Sequence, residues 1–414
     1  MGRTERIQNS KFGKLTYVSS TRQRAPVIAL LCAASAAASL TFAEALERAA
    51  LSNPDLAAER LSLPIAQAGA EAAGALANPT ISGSVSGADP TLSAGGAIRF
   101  PIFGQRAAAV RAAAAEVPLA ESELRGRALR LRATVRRSYF ALAAAQAQTK
   151  LAHASKDLAD RFAALAKTKY EAGGAPQLEV DQAALAAARA DQDLLDREAI
   201  ERVAQLALAA AIGAAPESSL SASDTLAVPA APALDDLLAA VAQHPDVVSA
   251  QNDRAAAEAR AVSERAAIRP TPELSLAYER SRSVPAQSVR GGVVFEVPLL
   301  SQNSGAVHRA EAQAARAEAR AAALVRRFEN DVRAAHNRWA AATRRAHFYA
   351  DQFVPAATHV EELAQKSYTA GRAPLVSVLQ AQSDVSQARA RAVDAVAEAQ
   401  SAFADLEEAS GAER

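Results

Sequence analysis

The sequence predicts a mainly α-helical protein with a membrane β-barrel contribution, built as two copies of one unit: a strand hairpin followed by a long helical hairpin. Three observations predict it. First, Tyr170, Gly173 and Pro176 recur as Tyr368, Gly371 and Pro374 at a spacing of 198. Asn53-Pro54-Asp55 recurs as His244-Pro245-Asp246, and Asn78-Pro79-Thr80 as Arg269-Pro270-Thr271, at 191; Phe100-Pro101-Ile102 recurs as Val297-Pro298-Leu299 at 197. A period this long means two copies of a structural unit, not a short-period solenoid. Second, 50% of residues are hydrophobic but only 4% aromatic. Much of the apolar content is Ala, which suits long, closely packed helices better than large globular cores. Third, four short segments abandon helical spacing for alternation with period two.

At the N-terminus, Arg3, Arg6, Lys11, Lys14, Arg22 and Arg24 precede an apolar run from Ala25 to Leu40. The run is shorter than a spanning helix and ends in small residues, so residues 1–38 read as a secretory signal cut near Ala38. The one cysteine, Cys32, lies inside it, and Ala29-Leu30-Leu31 lacks the small residue that cleavage and lipidation at Cys32 would prefer. Without the signal the chain has no thiol, which is compatible with an oxidising periplasm. No later segment reads as a transmembrane helix.

The first repeat spans 39–212 and the second 234–409, with a Pro, Ser and Ala-rich connector at 213–233 and a tail at 410–414. Each repeat opens with a helix entered at Asn53-Pro54-Asp55 or His244-Pro245-Asp246, where Pro at the first helical position and the neighbouring Asp favour initiation. The helices end near Ala77 and Ile268, stopped by Pro79 and Pro270. Strands come next at about 79–87 and 92–102, then 272–279 and 288–299. Ile81 and Val85 oppose Thr80, Ser82 and Ser84; Leu92, Ile98 and Phe100 oppose Ser93 and Arg99. Leu274, Leu276 and Tyr278 oppose Glu273, Ser275 and Glu279; Val289, Val293, Phe295 and Val297 oppose Arg290 and Glu296. This is the apolar-out, polar-in alternation of tilted bilayer-crossing strands, with Arg99, Glu273, Arg290 and Glu296 toward a lumen. A half-buried strand of a soluble sheet alternates in the same way.

Long helices then run over 104–171 and 302–369, with Pro118 and Pro355 predicted to kink or interrupt them. Each reverses at a Tyr-x-Ala-Gly-x-Ala-Pro turn, where Gly173 or Gly371 can adopt the left-handed conformation and Pro176 or Pro374 starts the returning helix, 177–212 or 375–408. Four bilayer strands cannot close, because the smallest barrels have about eight. Three copies in a ring supply twelve.

The doubled series of Asn/His-Pro-Asp helix, strand hairpin, Val-Pro-Leu-like strand end, long helix and Tyr-x-Ala-Gly turn resembles TolC-type outer membrane efflux factors over Leu40 to Ala409. The resemblance implies a homotrimeric channel, with a twelve-stranded outer membrane barrel and an α-helical barrel extending into the periplasm. It implies docking through a periplasmic adaptor, a membrane fusion protein, to an inner-membrane pump of the RND type. Length and the Pro355 region place it nearest the branch serving cobalt-zinc-cadmium and copper-silver efflux. The family's turns lie at the periplasmic tip, so Tyr170, Gly173, Pro176, Tyr368, Gly371 and Pro374 become adaptor-contact candidates. TolC itself carries an acidic constriction just past the second turn, where this chain has Ser377 and Gln380. Glu179 and Asp181 in the first repeat are then the acidic candidates for a pore constriction, unless they are ordinary carboxylates favoured by the helix dipole.

Catalytic and metal readings find no support. The six histidines lack the short spacings that bring ligands together on a helix face, and no phosphate loop or nucleophile elbow is present. Lys plus Arg is 46 against 45 for Asp plus Glu, a net charge of +1 that gives no electrostatic case for nucleic acid. No cofactor is implied. The rival readings are a periplasmic adaptor, which needs one helical hairpin flanked by β domains, and a soluble coiled-coil scaffold.

Overall fold

The computed structural model describes residues 38–86, 91–216, 218–230, 232–281, 287–296 and 302–412. In chain order the elements are β1 (Ala38–Leu40), α1 (Phe42–Ser52), α2 (Pro54–Arg60), α3 (Ser62–Gly74), β2 (Thr80–Val85), β3 (Thr91–Arg99), α4 (Gln105–Ala114), α5 (Glu116–Glu171) and α6 (Gln177–Ile212). Then come β4 (Leu220–Ala222), α7 (Leu234–Ala240), α8 (Pro245–Ala267), β5 (Pro272–Ser281), β6 (Gln287–Phe295), α9 (Ser304–Phe348), a π turn (Tyr349–Phe353), α10 (Val354–Thr369) and α11 (Leu375–Ser410). Apart from Ala38, the proposed signal lies outside the described residues, as does Val297-Pro298-Leu299.

The two strand hairpins join into one antiparallel sheet in the order β2-β3-β5-β6. The register pairs Ile98 with Leu274 and Leu274 with Val293, and on the alternate positions Arg99 with Glu273. Because paired residues in an antiparallel ladder share a face, one face collects Ile81, Val85, Leu92, Ile98, Leu274, Leu276, Tyr278, Val289, Val293 and Phe295. The other collects Ser82, Ser84, Ser93, Arg99, Glu273, Ser275, Glu279, Ser288 and Arg290, with Ala97, Ala277 and Val294 apolar among them, while Arg280 and Gln287 are polar residues at one end of the first face.

Each of the two long helices is interrupted close to the proline that the sequence singles out. The first breaks at Ala115, between α4 and α5, with Pro118 in the opening turn of α5. An N–H at this position would lack a partner within the helix in any case, so the proline ring costs little. The second passes through the π turn just before Pro355. In a regular helix the Pro355 ring would press on the carbonyl of Asp351, and the wider turn relieves that contact. The turn also explains a shift in the repeat. Spacing between copies is 197 at Phe100 and 198 at Tyr170, and the buried pairs Val135/Val332 and Ala145/Ala342 keep 197 just ahead of it. One residue has been inserted in the second copy, and a π turn absorbs a single insertion without rotating the helix beyond it.

Two departures from the sequence reading concern the ends of the repeats. An extra helix, α1, precedes Asn53-Pro54-Asp55, entered through a capping box in which Thr41 and Glu44 exchange bonds. The segment read as a connector holds β4, which pairs in parallel with β1. Tyr139, fully buried, fastens this pair to α5: its hydroxyl donates to Leu40 O at 2.8 Å and accepts from Asp224 N at 3.1 Å.

Candidate functional site

The sheet presents its apolar face to the outside with nothing on it. Ile81 is 89% exposed and Leu276 61%, a band of a kind that water-facing sheets avoid. On the opposite face the charges pair across strands: Arg99 Nε lies 2.7 Å from Glu273, and Arg290 3.2 Å from Glu279. Glu279 therefore joins the lumen candidates, as its place opposite Tyr278 in the alternation already signalled. Glu296 lies just beyond β6 and is exposed. The edges β2 and β6 are left with unpaired ladder groups, and a bilayer cannot tolerate such edges.

At the far end the two helical hairpins turn side by side. Gly173 and Gly371 have φ of 72° and 70°. In each turn the residue after the glycine bonds back to the carbonyl five before it: Gly174 N to Lys169 O and Arg372 N to Ser367 O, both 2.8 Å. This is the Schellman closure, and Pro176 and Pro374 then stand as the N-caps of α6 and α11. The equivalent tyrosines diverge. Tyr170 is 45% exposed, whereas Tyr368 is 8% exposed within a cluster of Ala166, Ala183, Leu375 and Val378. Lys169 Nζ sits 4.1 Å above the Tyr368 ring, a cation–π contact tying one hairpin to the other. The Tyr368 hydroxyl is buried and finds no hydrogen-bond partner among the described residues.

Past the turns, Glu179 is half-buried and Asp181 exposed, the latter accepting from Gln177 at 3.0 Å. Ser377 is half-buried; Gln380 is exposed and donates to Asp384 at 3.0 Å. The second repeat thus does carry a carboxylate near its turn, one helical turn beyond the position where family resemblance directs attention.

Sequence reasoning also missed the roots of the hairpins. Asn53 and His244, read there as ordinary helix starts, clamp the returning helices. The Asn53 carboxamide accepts from Leu56 N and donates to Ala211 O, both 3.0 Å. His244 Nδ1 accepts from Asp246 N at 3.1 Å, while Nε2 faces Glu408 O at 2.9 Å, so the neutral ring carries its proton on Nε2. Burial, with the ring stacked 4.0 Å from that of Phe328, pulls the His244 pKa below its ordinary value. Both returning helices end in a left-handed glycine pressed on the clamp, Gly213 and Gly411.

Between these roots Arg136 lies 2.9 Å from Glu407, with the Phe42 and Phe403 rings 4.6 and 4.8 Å from its guanidinium. Arg136 Nη2 donates to Glu407 Oε1 at 3.4 Å and Nη1 to Gln400 Oε1 at 3.3 Å, while the Nε–Oε2 approach is an ion pair without hydrogen-bond alignment. Burial lowers Arg136 and raises Glu407, and each charge works against the shift on the other. Among the described residues no group of three or more His, Cys, Asp or Glu is placed to hold a metal ion, and no helix is long and apolar enough to cross a membrane.

An open sheet with one apolar, uncovered face, carried on long helical hairpins, defines a channel-forming membrane protein. Known proteins agree. The outer membrane efflux protein family matches residues 45–214 and 237–412, and the chain belongs to that family, which is one of channels and not of enzymes. It is 28% identical over 360 residues to the cobalt-zinc-cadmium resistance protein CzcC of Cupriavidus metallidurans, with 86% of each chain covered. Its fold is similar to those of CusC (TM-score 0.74, 18% identity, 90% and 92% covered) and of VceC from Vibrio cholerae (0.73, 22%, 89% and 96%). It also resembles the open state of MtrE from Neisseria gonorrhoeae (0.72, 18%, 89% and 88%).

Proposed function

We propose that this chain is one third of a passive exit duct for metal cations in a tripartite efflux system. The uncovered apolar face of the four-stranded sheet carries the reading, because lipid is the solvent that removes its cost and a ring is the arrangement that pairs β2 with β6. Three copies form a twelve-stranded barrel in the outer membrane and a helical tube in the periplasm. The turns at Tyr170 to Pro176 and Tyr368 to Pro374 receive a periplasmic adaptor, which links the duct to an inner-membrane pump of the RND type. Cations are favoured as cargo by the likeness to a cobalt-zinc-cadmium resistance protein. Glu179 and Asp181, tripled by symmetry, set a negative ring near the tip. The chain does no catalysis and needs no cofactor; selectivity belongs to the pump.

Fractionation with carbonate washing tests the membrane assignment. A duct stays with the outer membrane, and release into the wash refutes it. Deleting the gene, then measuring growth on cobalt, zinc and cadmium, tests the cargo: unchanged tolerance to all three sinks the cation assignment.

A further inference from the structure

The helical layer has two uncovered edges, and they carry matching apolar stripes. Beyond α8, which packs on α9 as far as His244 against Phe328, α6 packs on α5, α5 on α11, and α11 on α9 and α10, so toward the tip α6 and the rest of α9–α10 flank the layer. On α6, Leu185, Leu195, Ile200, Val203 and Leu206 are exposed. At about 100° per residue they form one stripe, roughly opposite the buried stripe of Ala183, Leu194, Leu208 and Ile212. It therefore points sideways, away from α5. On the other edge, Phe348 and Phe353 are 48% and 39% exposed and stack at 6.3 Å, with the Tyr349 ring 5.7 and 5.6 Å from them. A π turn sets residues five apart above one another, so the inserted residue is what gathers these rings into a single knob. Val360 and Leu363, also exposed, continue the stripe toward the tip.

Contacts between antiparallel helices supply a ruler along the axis. Facing residue numbers total 743 for α9 with α11, in Arg345–Glu398 and Arg338–Asp405. They total 541 or 542 for α5 with α11, in Ser155–Ser386, Gln148–Asp394 and Arg137–Asp405. They total 346 or 347 for α5 with α6, in Thr149–Arg197 and Lys156–Asp191. Chaining the three, a residue on α9–α10 stands level with the α6 residue that brings the total to about 548. Cyclic symmetry rotates one copy onto the next with no rise along the axis, so touching residues must be level.

We propose that α6 of one copy lies antiparallel against α9–α10 of the next, pairing Leu195 with Phe353, Ile200 with Phe348 and Leu185 with Leu363. The occupant of the aromatic knob is a second copy of this chain, and the π turn, absent from the first repeat, is the lock between subunits. The inference rests on the proposed ring and adds its register: all three pairs fall on the expected total, and the seam continues the one that β2 and β6 must form.

The test is disulfide trapping in the full chain in its membrane. Leu195→Cys combined with Phe353→Cys is expected to give dimer and trimer bands on non-reducing gels after mild oxidation. Leu195→Cys with Val360→Cys, displaced by roughly 10 Å along the axis, is expected to give none. Each single variant reports any adduct made through Cys32. Phe353→Ala, which leaves the rest of the seam in place, is expected to lower the temperature at which the detergent-solubilised trimer dissociates. Light scattering of the detergent-solubilised protein separates ring from register. A trimer that crosslinks through the displaced pair, or through neither, overturns the register but leaves the ring; a monomer overturns both.

Discussion

Replacing Gly213 by Ala should damage the fold far more than the same change at Gly173, although both residues are left-handed glycines of nearly equal φ, 69° and 72°. At Gly173 an added Cβ would meet nothing within 4 Å. Its cost is the left-handed conformation alone, about 1–2 kcal/mol, less about 0.4–1 kcal/mol regained by restricting the unfolded chain. At Gly213 the Cβ would press on the Ser52 carbonyl oxygen, with Ser52 C at 2.7 Å and Asn53 N at 3.1 Å. These are backbone atoms at the junction of α1 and α2, so they cannot rotate aside. Overpacking adds about 1–3 kcal/mol, and shifting Asn53 weakens its bond to Ala211 O, about 1 kcal/mol more. With the net conformational cost included, the total is about 2–6 kcal/mol. Gly411→Ala should fall between the two, because there the closest atom, His244 Cδ2 at 2.9 Å, belongs to a side chain. Thermal unfolding followed by circular dichroism, with all variants in one detergent, should rank the midpoints wild type, Gly173→Ala, Gly411→Ala, Gly213→Ala from highest to lowest. Equal shifts for Gly173→Ala and Gly213→Ala would refute the clamp geometry.

Acid should destabilise the chain through His244: the folded state holds the ring neutral, the unfolded state binds a proton near pH 6.5, and stability falls as pH drops below that value. His244→Asn copies what Asn53 does in the first repeat and should flatten the loss between pH 7 and 5 in the same unfolding assay; a parallel loss in both proteins counts against this. Tyr368→Phe removes a buried hydroxyl that bonds to none of the described residues and should leave stability unchanged or raise it by up to about 1 kcal/mol, whereas Tyr368→Ala should cost about 3–5 kcal/mol, both read by chemical denaturation. In the sheet, Leu276→Lys should cost about 2–4 kcal/mol in membrane-folding equilibria, while Ser275→Lys on the opposite face should be tolerated, and equal penalties would show that the apolar face does not meet lipid.

What could be read from the sequence was what the chain specifies locally. Alternation through Leu274, Leu276 and Tyr278 fixes which face of a strand is apolar wherever that strand lies, and a Gly between a helix end and a Pro carries its own left-handed turn. The clamps are of another kind. Asn53 looks like any N-cap until the carbonyl of Ala211, far along the chain, arrives beside it. β1 and β4 are too short to show a period, and a three-residue parallel pair leaves no local trace. The π turn did leave one, in the change of repeat spacing from 197 to 198 ahead of Pro355, but an insertion announces its place only roughly and its geometry not at all.

The two copies have kept the same frame and diverged in what they do with it. Asn53 and His244 hold equivalent helix ends, yet only one of them titrates. Tyr170 and Tyr368 close equivalent turns, yet Tyr170 stands exposed while Tyr368 is buried beneath Lys169 of the other hairpin. At the level of the π turn the first copy has Leu151 and Ser155, facing a partly open cavity shared with Gln382 and Ser386, where the second has the Phe348, Tyr349 and Phe353 knob. In a ring each repeat must meet two unlike neighbours: the other repeat of its own chain on one side and the next chain on the other. Identical repeats would make those two contacts interchangeable and leave the cut between subunits undefined. The differences fall where that ambiguity would lie, with Lys169 over Tyr368 marking the contact inside a chain and the aromatic knob marking an edge that the chain itself leaves uncovered.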